Sequence, residues 1–545
     1  MDGRVTLVSP SVRTRLFTLL VAVLVVGAVA TAPTPASLTA GGQFALATMA
    51  FAAILWITGA LPLALTALLI PLLLTGFGVY PAFGDAVAGF ADPVIFLLLA
   101  GFMLAEALQS HGVDRRIALA ILVRFGTSPR GLVLGVMVAT AVLSMIVSNT
   151  ATVAMMVPVV VGVVGSVTDL TAVDDPTDSA NSADSVTTVD DPTDFETAGD
   201  ARRISNFQVA MLLGVAYAAS LGGVGTLVGT PPNAIVVGQL DDLLGVEITF
   251  VEWLAVGLPL VVLTLPVAWA LLTYVVYPPE PYDVSAARDR AREELRSMGP
   301  LSPQARRTVV IFAATALLWL LGGFEFLFRE YLPATWRVTL FGGPGASVFG
   351  TAGHQGVLYY VVVGLAAVPA LVVSGAAAWD ELVDIDWGTL LLLGGGISLA
   401  NALADTRATE WLAEVTLGSL GGAPVVVVVL VVVAGTVLVG ELASNTAMAA
   451  ILAPLLINVG PAYADALGTS ATSASVMLAV TGAVAASYGF ALPVATPPNA
   501  IVFGAGYLRR DHMLRAGALL DGVVVLLTTG AVLVLVRFVW PGVLG

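Results

Sequence analysis

The chain has 545 residues, of which 58% are hydrophobic and only 11% charged, with a mean hydropathy of +0.96. No soluble core of this length needs so much apolar sequence, so the composition predicts an all-α polytopic membrane protein. The net charge is −15, and neither cysteine nor lysine occurs, which excludes disulfide and thiolate chemistry, a Walker phosphate loop and a lysine Schiff base.

In chain order, Arg4, Arg13 and Arg15 precede a first apolar run at 16–32, which predicts a cytoplasmic N-terminus in a multi-pass plasma-membrane protein. The run ends in small residues and prolines like a cleavage region. The many later spans argue instead for a retained first helix, with 1–40 as the N-terminal segment. Long apolar runs follow at 44–75, 131–147, 251–277, 308–322, 357–374, 424–439 and 519–539. Shorter or interrupted ones lie at 93–108, 207–228, 387–404, 447–459 and 474–503. None alternates with period two, so a transmembrane barrel is excluded.

Residues 168–203 hold ten acids against Arg202 and Arg203, supplying −8 of the net charge, and repeat Val-Asp-Asp-Pro-Thr-Asp at 173–178 and 189–194. This insert reads as disordered low-complexity sequence. With the missing lysine it suggests a halophile. The arginine-rich linker at 278–306 should be cytoplasmic, and six spans before it satisfy that. It separates 41–277 from 307–545.

Each half carries the same pair of motifs. Ser148-Asn149-Thr150 precedes Thr230-Pro231-Pro232-Asn233, and Ser444-Asn445-Thr446 precedes Thr496-Pro497-Pro498-Asn499. The chain has eight asparagines, and these motifs use four of them, so coincidence is a poor account. From Ser148 to Thr230 is 82 residues and from Ser444 to Thr496 is 52; the excess of 30 is about the size of the acidic insert. An odd number of spans separates equivalent points, so the halves read as two inverted repeats with a site at their pseudo-two-fold axis.

A Ser-Asn-Thr tip between two apolar stretches suits a re-entrant hairpin, since polar groups in lipid need a site or a cavity. The bland reading is glue between helices through small polar residues. It weakens when the motif recurs. The Pro-Pro pairs predict broken helices in which the carbonyls of Leu227, Val228, Pro493 and Val494 lose their helical partners. Freed carbonyls suit a cation, and the N–H groups of the next half-helix suit an anion. An asparagine amide can accept towards one and donate to the other. No basic residue lies in either motif, so a bound anion must be balanced by cations, helix dipoles and hydroxyls. Glu441 reads either as a proton or cation site or as a structural acid at the hairpin base. Asp85, Asp92 and Glu106 read as interfacial. His111, His354 and His512 stand far apart, outside any zinc-protease pattern.

These motifs resemble those of the divalent anion–sodium symporter family, transporters of dicarboxylates, citrate and sulfate. The resemblance covers the chain outside the acidic insert. It implies about 11 transmembrane helices plus two re-entrant hairpins. It implies sodium as coupling ion, no organic cofactor, no nucleic-acid partner, and a homodimer working as an elevator. It also implies that Ser148, Asn149, Thr150, Ser444, Asn445, Thr446, Thr230, Pro231, Thr496 and Pro497 line the substrate pocket. One sodium would sit among Ser144, Ser148, Asn149 and the backbone of Gly229, and a second among Gly440, Ala443, Asn445 and the backbone of Ala495. Gly440 departs from the pattern, because symmetry with Ser144 calls for a hydroxyl there.

The resulting expectation is sodium-coupled symport of di- or tricarboxylates. Alternatives are symport of sulfate or another divalent anion and, more distantly, a sodium/proton antiporter or arsenite exporter. An intramembrane enzyme would need a partnered nucleophile, which the sequence does not offer. A channel fits proline-broken pairs in inverted repeats less well.

Overall fold

The computed structural model describes residues 12–35, 37–125, 128–171, 204–281, 283–328, 331–348, 350–417, 423–442 and 444–538. Eight of the described helices are long and apolar enough to cross a bilayer, and further apolar helices are shorter. Helix α1 (Val12–Thr31) packs along α2 (Ala40–Thr58), and α3 (Leu63–Gly76) follows. The apolar run 44–75 is therefore two helices. Gly59, at φ +61°, closes α2 with its N–H on the Leu55 carbonyl, and Pro62 opens α3, the usual glycine-stop and proline-start pairing.

The first half continues with α4 (Pro93–Ser110), α5 (Val113–Phe125), the hairpin pair α6 (Pro129–Ser144) and α7 (Asn149–Thr171), the broken pair α8 (Asn206–Gly223) and α9 (Pro231–Leu244), and α10 (Phe250–Ala270). The acidic insert lies outside the described residues from 172 onward; its first four residues continue α7. The linker, legible in the sequence only as hydrophilic, contains α11 (Ser285–Ser297). Its buried Ala287 and Ala291 face the bundle, and it is tied to α5. Arg115 meets Glu294 at 2.5 Å, Arg116 donates to the Gly299 carbonyl at 2.8 Å, and Arg288 donates to the Val123 carbonyl at 3.1 Å.

The second half runs α12 (Pro303–Gly322), α13 (Ala334–Phe341), a two-stranded antiparallel ribbon of β1 (Gly342–Ala346) and β2 (Ala352–Gln355), α14 (Tyr360–Val373), α15 (Trp387–Asp405), α16 (Ala408–Leu417), the hairpin pair α17 (Val425–Gly440) and α18 (Asn445–Val459), the broken pair α19 (Ala471–Ala486) and α20 (Pro497–Gly504), and α21 (Arg510–Phe538).

Packing repeats with the element order. α3 lies on α15 as α14 lies on α4, α6 on α8 as α17 on α19, and α7 on α8 as α18 on α19. The exchange between halves is reciprocal. α9 packs against α18 and α19 of the second half, and α20 packs against α7 and α8 of the first. The largest core cluster runs through both halves and includes Tyr217, Trp253, Tyr488 and Phe490, each at most 1% exposed. Burying aromatics of this size, at about 25 cal/mol per Å² of apolar surface removed from water, holds the parts around the site in fixed register.

Candidate functional site

The first hairpin turns where the sequence changes from apolar to polar. α6 ends at Ser144 and α7 starts at Asn149. Ser144 is fully buried, its Oγ 2.8 Å from the Ala219 carbonyl and 2.5 Å from Oδ1 of Asn149. One hydroxyl proton serves only one of these acceptors at a time. Two glycines let the backbone crowd in. A Cβ on Gly223 would lie 2.4 Å from Oδ1 of Asn149, and one on Gly229 would lie 2.5 Å from the Gly223 carbonyl and 3.1 Å from that of Ser144. Hydroxyl, amide and carbonyl oxygens thus gather in one buried spot, a ligand type that suits a hard cation.

Both broken helices are built alike. α8 stops at Gly223 and α19 at Ala486; Thr230 and Thr496 are the N-caps of α9 and α20, and each Pro-Pro pair fills the first two helical positions. The prolines therefore open the second half-helix, where a missing N–H costs nothing, rather than sitting inside a continuous one. Nδ2 of Asn233 donates to the carbonyls of Gly223 (3.0 Å) and Thr226 (2.8 Å). Nδ2 of Asn499 donates to those of Gly489 and Leu492, both at 2.9 Å. In each half the partners stand ten and seven residues upstream, so the same clasp folds the unwound loop back on itself. Both asparagines are fully buried, with Oδ1 lacking a hydrogen-bond partner. Sequence reasoning left them out of the site, although the rare asparagine closing both tetrapeptides was the signal.

The second hairpin differs. α17 ends at Gly440, whose missing side chain leaves Oδ1 of Asn445 buried without a partner. A Cβ on Gly440 would meet only the Tyr488 carbonyl, at 3.5 Å. Ala443 lies outside the described residues. Ala495 and Thr496 are buried, and the Thr496 hydroxyl accepts from the Asn499 N–H at 3.2 Å. Thr230 is buried with no side-chain cap bond. Ser148, Asn149, Pro231, Ser444, Asn445 and Thr446 are half-buried, whereas Thr150 and Pro497 are exposed.

The motifs open four helices, at Asn149, Pro231, Asn445 and Pro497. Each presents the positive end of its dipole, the natural place for an anion. Because α9 lies on α18 and α20 on α7, each broken helix is paired with the other half's hairpin. Among the described residues, two buried bonds cross between the halves. Gln239 donates to the Ala450 carbonyl at 3.3 Å, and Tyr217 to that of Met513 at 3.4 Å.

Asp92 stands at the start of the apolar helix Pro93–Ser110. It caps α4, accepting the Val94 N–H at 2.7 Å, and is only 7% exposed. Asp85 is exposed and Glu106 half-buried.

A multi-pass helical bundle with paired hairpins and paired broken helices defines the class of secondary transporters built from repeats. The model of the sodium:sulfate symporter transmembrane region matches residues 13–543, and the chain belongs to that family. It is a membrane transporter, not an enzyme. A sodium-dependent dicarboxylate transporter of Staphylococcus saprophyticus is 31% identical over 514 residues, covering 94% of this chain and 88% of the relative. An uncharacterized transporter of Haemophilus influenzae is 34% identical over 490 residues, covering 89% and 90%. In fold, the crystal structure of the Alcanivorax borkumensis YdaH transporter is similar with a TM-score of 0.51 at 16% identity, covering 84% of this chain and 88% of that one.

Proposed function

We propose that this protein is a sodium-coupled symporter of di- or tricarboxylates. The observation that carries the reading is the oxygen-only cluster of Ser144, Asn149 and the loop around Gly229, in motifs without a basic residue. A doubly negative solute there needs positive charge from elsewhere. Bound sodium ions and four helix N-termini supply it. In this reading Ser148, Asn149, Thr150, Ser444, Asn445 and Thr446 hold the carboxylates by hydroxyl and amide donors, with Thr230, Pro231, Thr496 and Pro497 as the walls. The first sodium takes Ser144, Ser148, Asn149 and Gly229. The second takes Asn445, Ala495, Gly440 and Ala443. The protein works in the plasma membrane as a homodimer with its N-terminus in the cytoplasm. Its repeats, 41–277 and 307–545, carry the site by an elevator movement. The sodium-dependent relatives support the coupling ion and the dicarboxylate.

A second reading, sulfate as cargo, is favoured by the sulfate in the family's description. Proteoliposomes with an inward sodium gradient separate the two. Labelled succinate uptake is expected to exceed that in choline by at least about tenfold, which corresponds to about 1.4 kcal/mol, and excess sulfate should compete poorly. Succinate flux that ignores sodium contradicts the proposal. Strong competition by sulfate, with little succinate uptake, selects the second reading.

A further inference from the structure

The two unwound loops share the asparagine clasp on their carbonyls but differ in what else holds them. In the first, the carbonyls are gripped. Asn233 takes those of Gly223 and Thr226, and Trp253 Nε1 donates to that of Val224 at 3.0 Å. In the second, the N–H groups are gripped as well. Glu441 accepts the Ala491 N–H on Oε1 at 2.9 Å and the Leu492 N–H on Oε2 at 2.8 Å. Asp521 of α21 accepts the Phe490 N–H of the same loop at 3.3 Å. Both acids are buried, 7% and 9% exposed. The equivalent of Glu441 in the first half is Met145, which offers only its backbone carbonyl, to Thr226 Oγ1 at 2.5 Å.

We propose that Glu441 is a positioning residue that locks the tip of the second hairpin to the second unwound loop, so that Asn445 and Ala495 keep the spacing a cation needs. Glu441 follows Gly440 directly and stands four residues before Asn445, so a shift of its carboxylate is a shift of the tip. Its two acceptor oxygens face two consecutive N–H groups, and a trans peptide then turns the Phe490 and Ala491 carbonyls away from Glu441. The loop is thereby fixed in rotation as well as in place. Cation ligands tolerate only a few tenths of an ångström of displacement. The first site has Ser144 to bridge to Asn149. The second has Gly440 in that place, and the carboxylate clamp does the corresponding work from the neighbouring residue. Asp521 extends the clamp to the last helix.

The inference rests on the sodium reading above but not on the identity of the anion, so its test uses sodium alone. The chain has no cysteine, and Val494, in this loop, is 72% exposed. In full-length V494C in detergent, sodium is expected to slow maleimide labelling where choline does not. Adding E441Q, which keeps the side-chain volume but turns an amide NH₂ towards one loop N–H, should raise the half-protecting sodium concentration at least about tenfold. The melting temperature should stay within about 3 °C of the parent. Adding D521N, which touches one N–H at longer distance, should raise it about threefold. A half-protecting concentration within twofold of the parent in folded E441Q overturns the proposal, as does an absence of sodium protection in V494C itself. Should E441Q fail to fold, D521N decides: a shift supports the clamp and no shift overturns it. Loss of succinate uptake with normal sodium protection would count against the cargo and leave the clamp standing.

Discussion

Asn149→Ala and Asn445→Ala are each expected to cut sodium-driven succinate uptake at least about 100-fold, equivalent to about 2.7 kcal/mol. Alanine removes the amide oxygen beside Ser144 in the first case and the unpartnered buried oxygen in the second. It also removes the NH₂ that would face the anion. Losing one cation ligand together with one anion donor exceeds the cost of a single hydrogen bond, about 1 kcal/mol, because the two ligands then fail to support each other. Folding should survive. Both residues open their helices, are half-buried, and alanine is the best helix former. Uptake assays paired with melting curves check this. Near-normal uptake in either variant, with the protein folded, would remove that asparagine from the mechanism.

The second large effect concerns two glycines that let a helix lie against each unwound loop. In α21 a Cβ on Gly517 would sit 1.9 Å from the Phe490 carbonyl oxygen and 2.4 Å from Cα of Ala491. In α10 a Cβ on Gly257 would sit 2.4 Å from the Val224 carbonyl. The obstructing atoms are backbone and cannot rotate away, so the helix or the loop must move. Gly517→Val is expected to destabilise the fold by on the order of 3 kcal/mol or more and to abolish uptake, with Gly257→Val close behind. Gly522→Ala and Gly530→Ala, in the same helix as Gly517 with nothing within 4 Å of the added carbon, are the controls. They should be neutral or gain up to about 1 kcal/mol. Folded yield and melting temperature after purification read the difference. Equal behaviour of Gly517 and Gly522 would mean that the close approach of α21 to the loop is not needed.

The class of protein and the placing of its breaks were legible in the sequence because membrane helices announce themselves by length and apolarity, and breaks by Ser-Asn-Thr and Pro-Pro. The Pro-Pro pairs mark the breaks that open helices at Pro231 and Pro497, whereas the helix ends at Ser144 and Gly440 come from the structure. The split of 44–75 into α2 and α3 was written in Gly59 and Pro62 but is hidden by an unbroken apolar run. Helix α11 was masked by its charge. Its short face of Ala287 and Ala291 is too small to register as an apolar period, and docking on α5 and α7 holds it in place. Within the site, the tips were legible as motifs, whereas their partners were not. That Asn233 and Asn499 clasp carbonyls ten and seven residues back, or that Glu441 meets Ala491 and Leu492 some fifty residues later, depends on how the chain folds back on itself. Asp521 gave no signal, because a single acid in an apolar helix does not name its partner. Its position opposite Glu441 comes from the packing of α21 on α17.

The claim on which the rest depends is that positive charge for the anion comes from bound sodium, since the four motifs hold no arginine or lysine. The most direct measurement is the affinity of purified protein for succinate, by calorimetry, in choline and in saturating sodium. The account predicts at least about 100-fold tighter binding with sodium, and by linkage an equal gain in sodium affinity when succinate is present. Succinate binding of the same strength in both salts would contradict it.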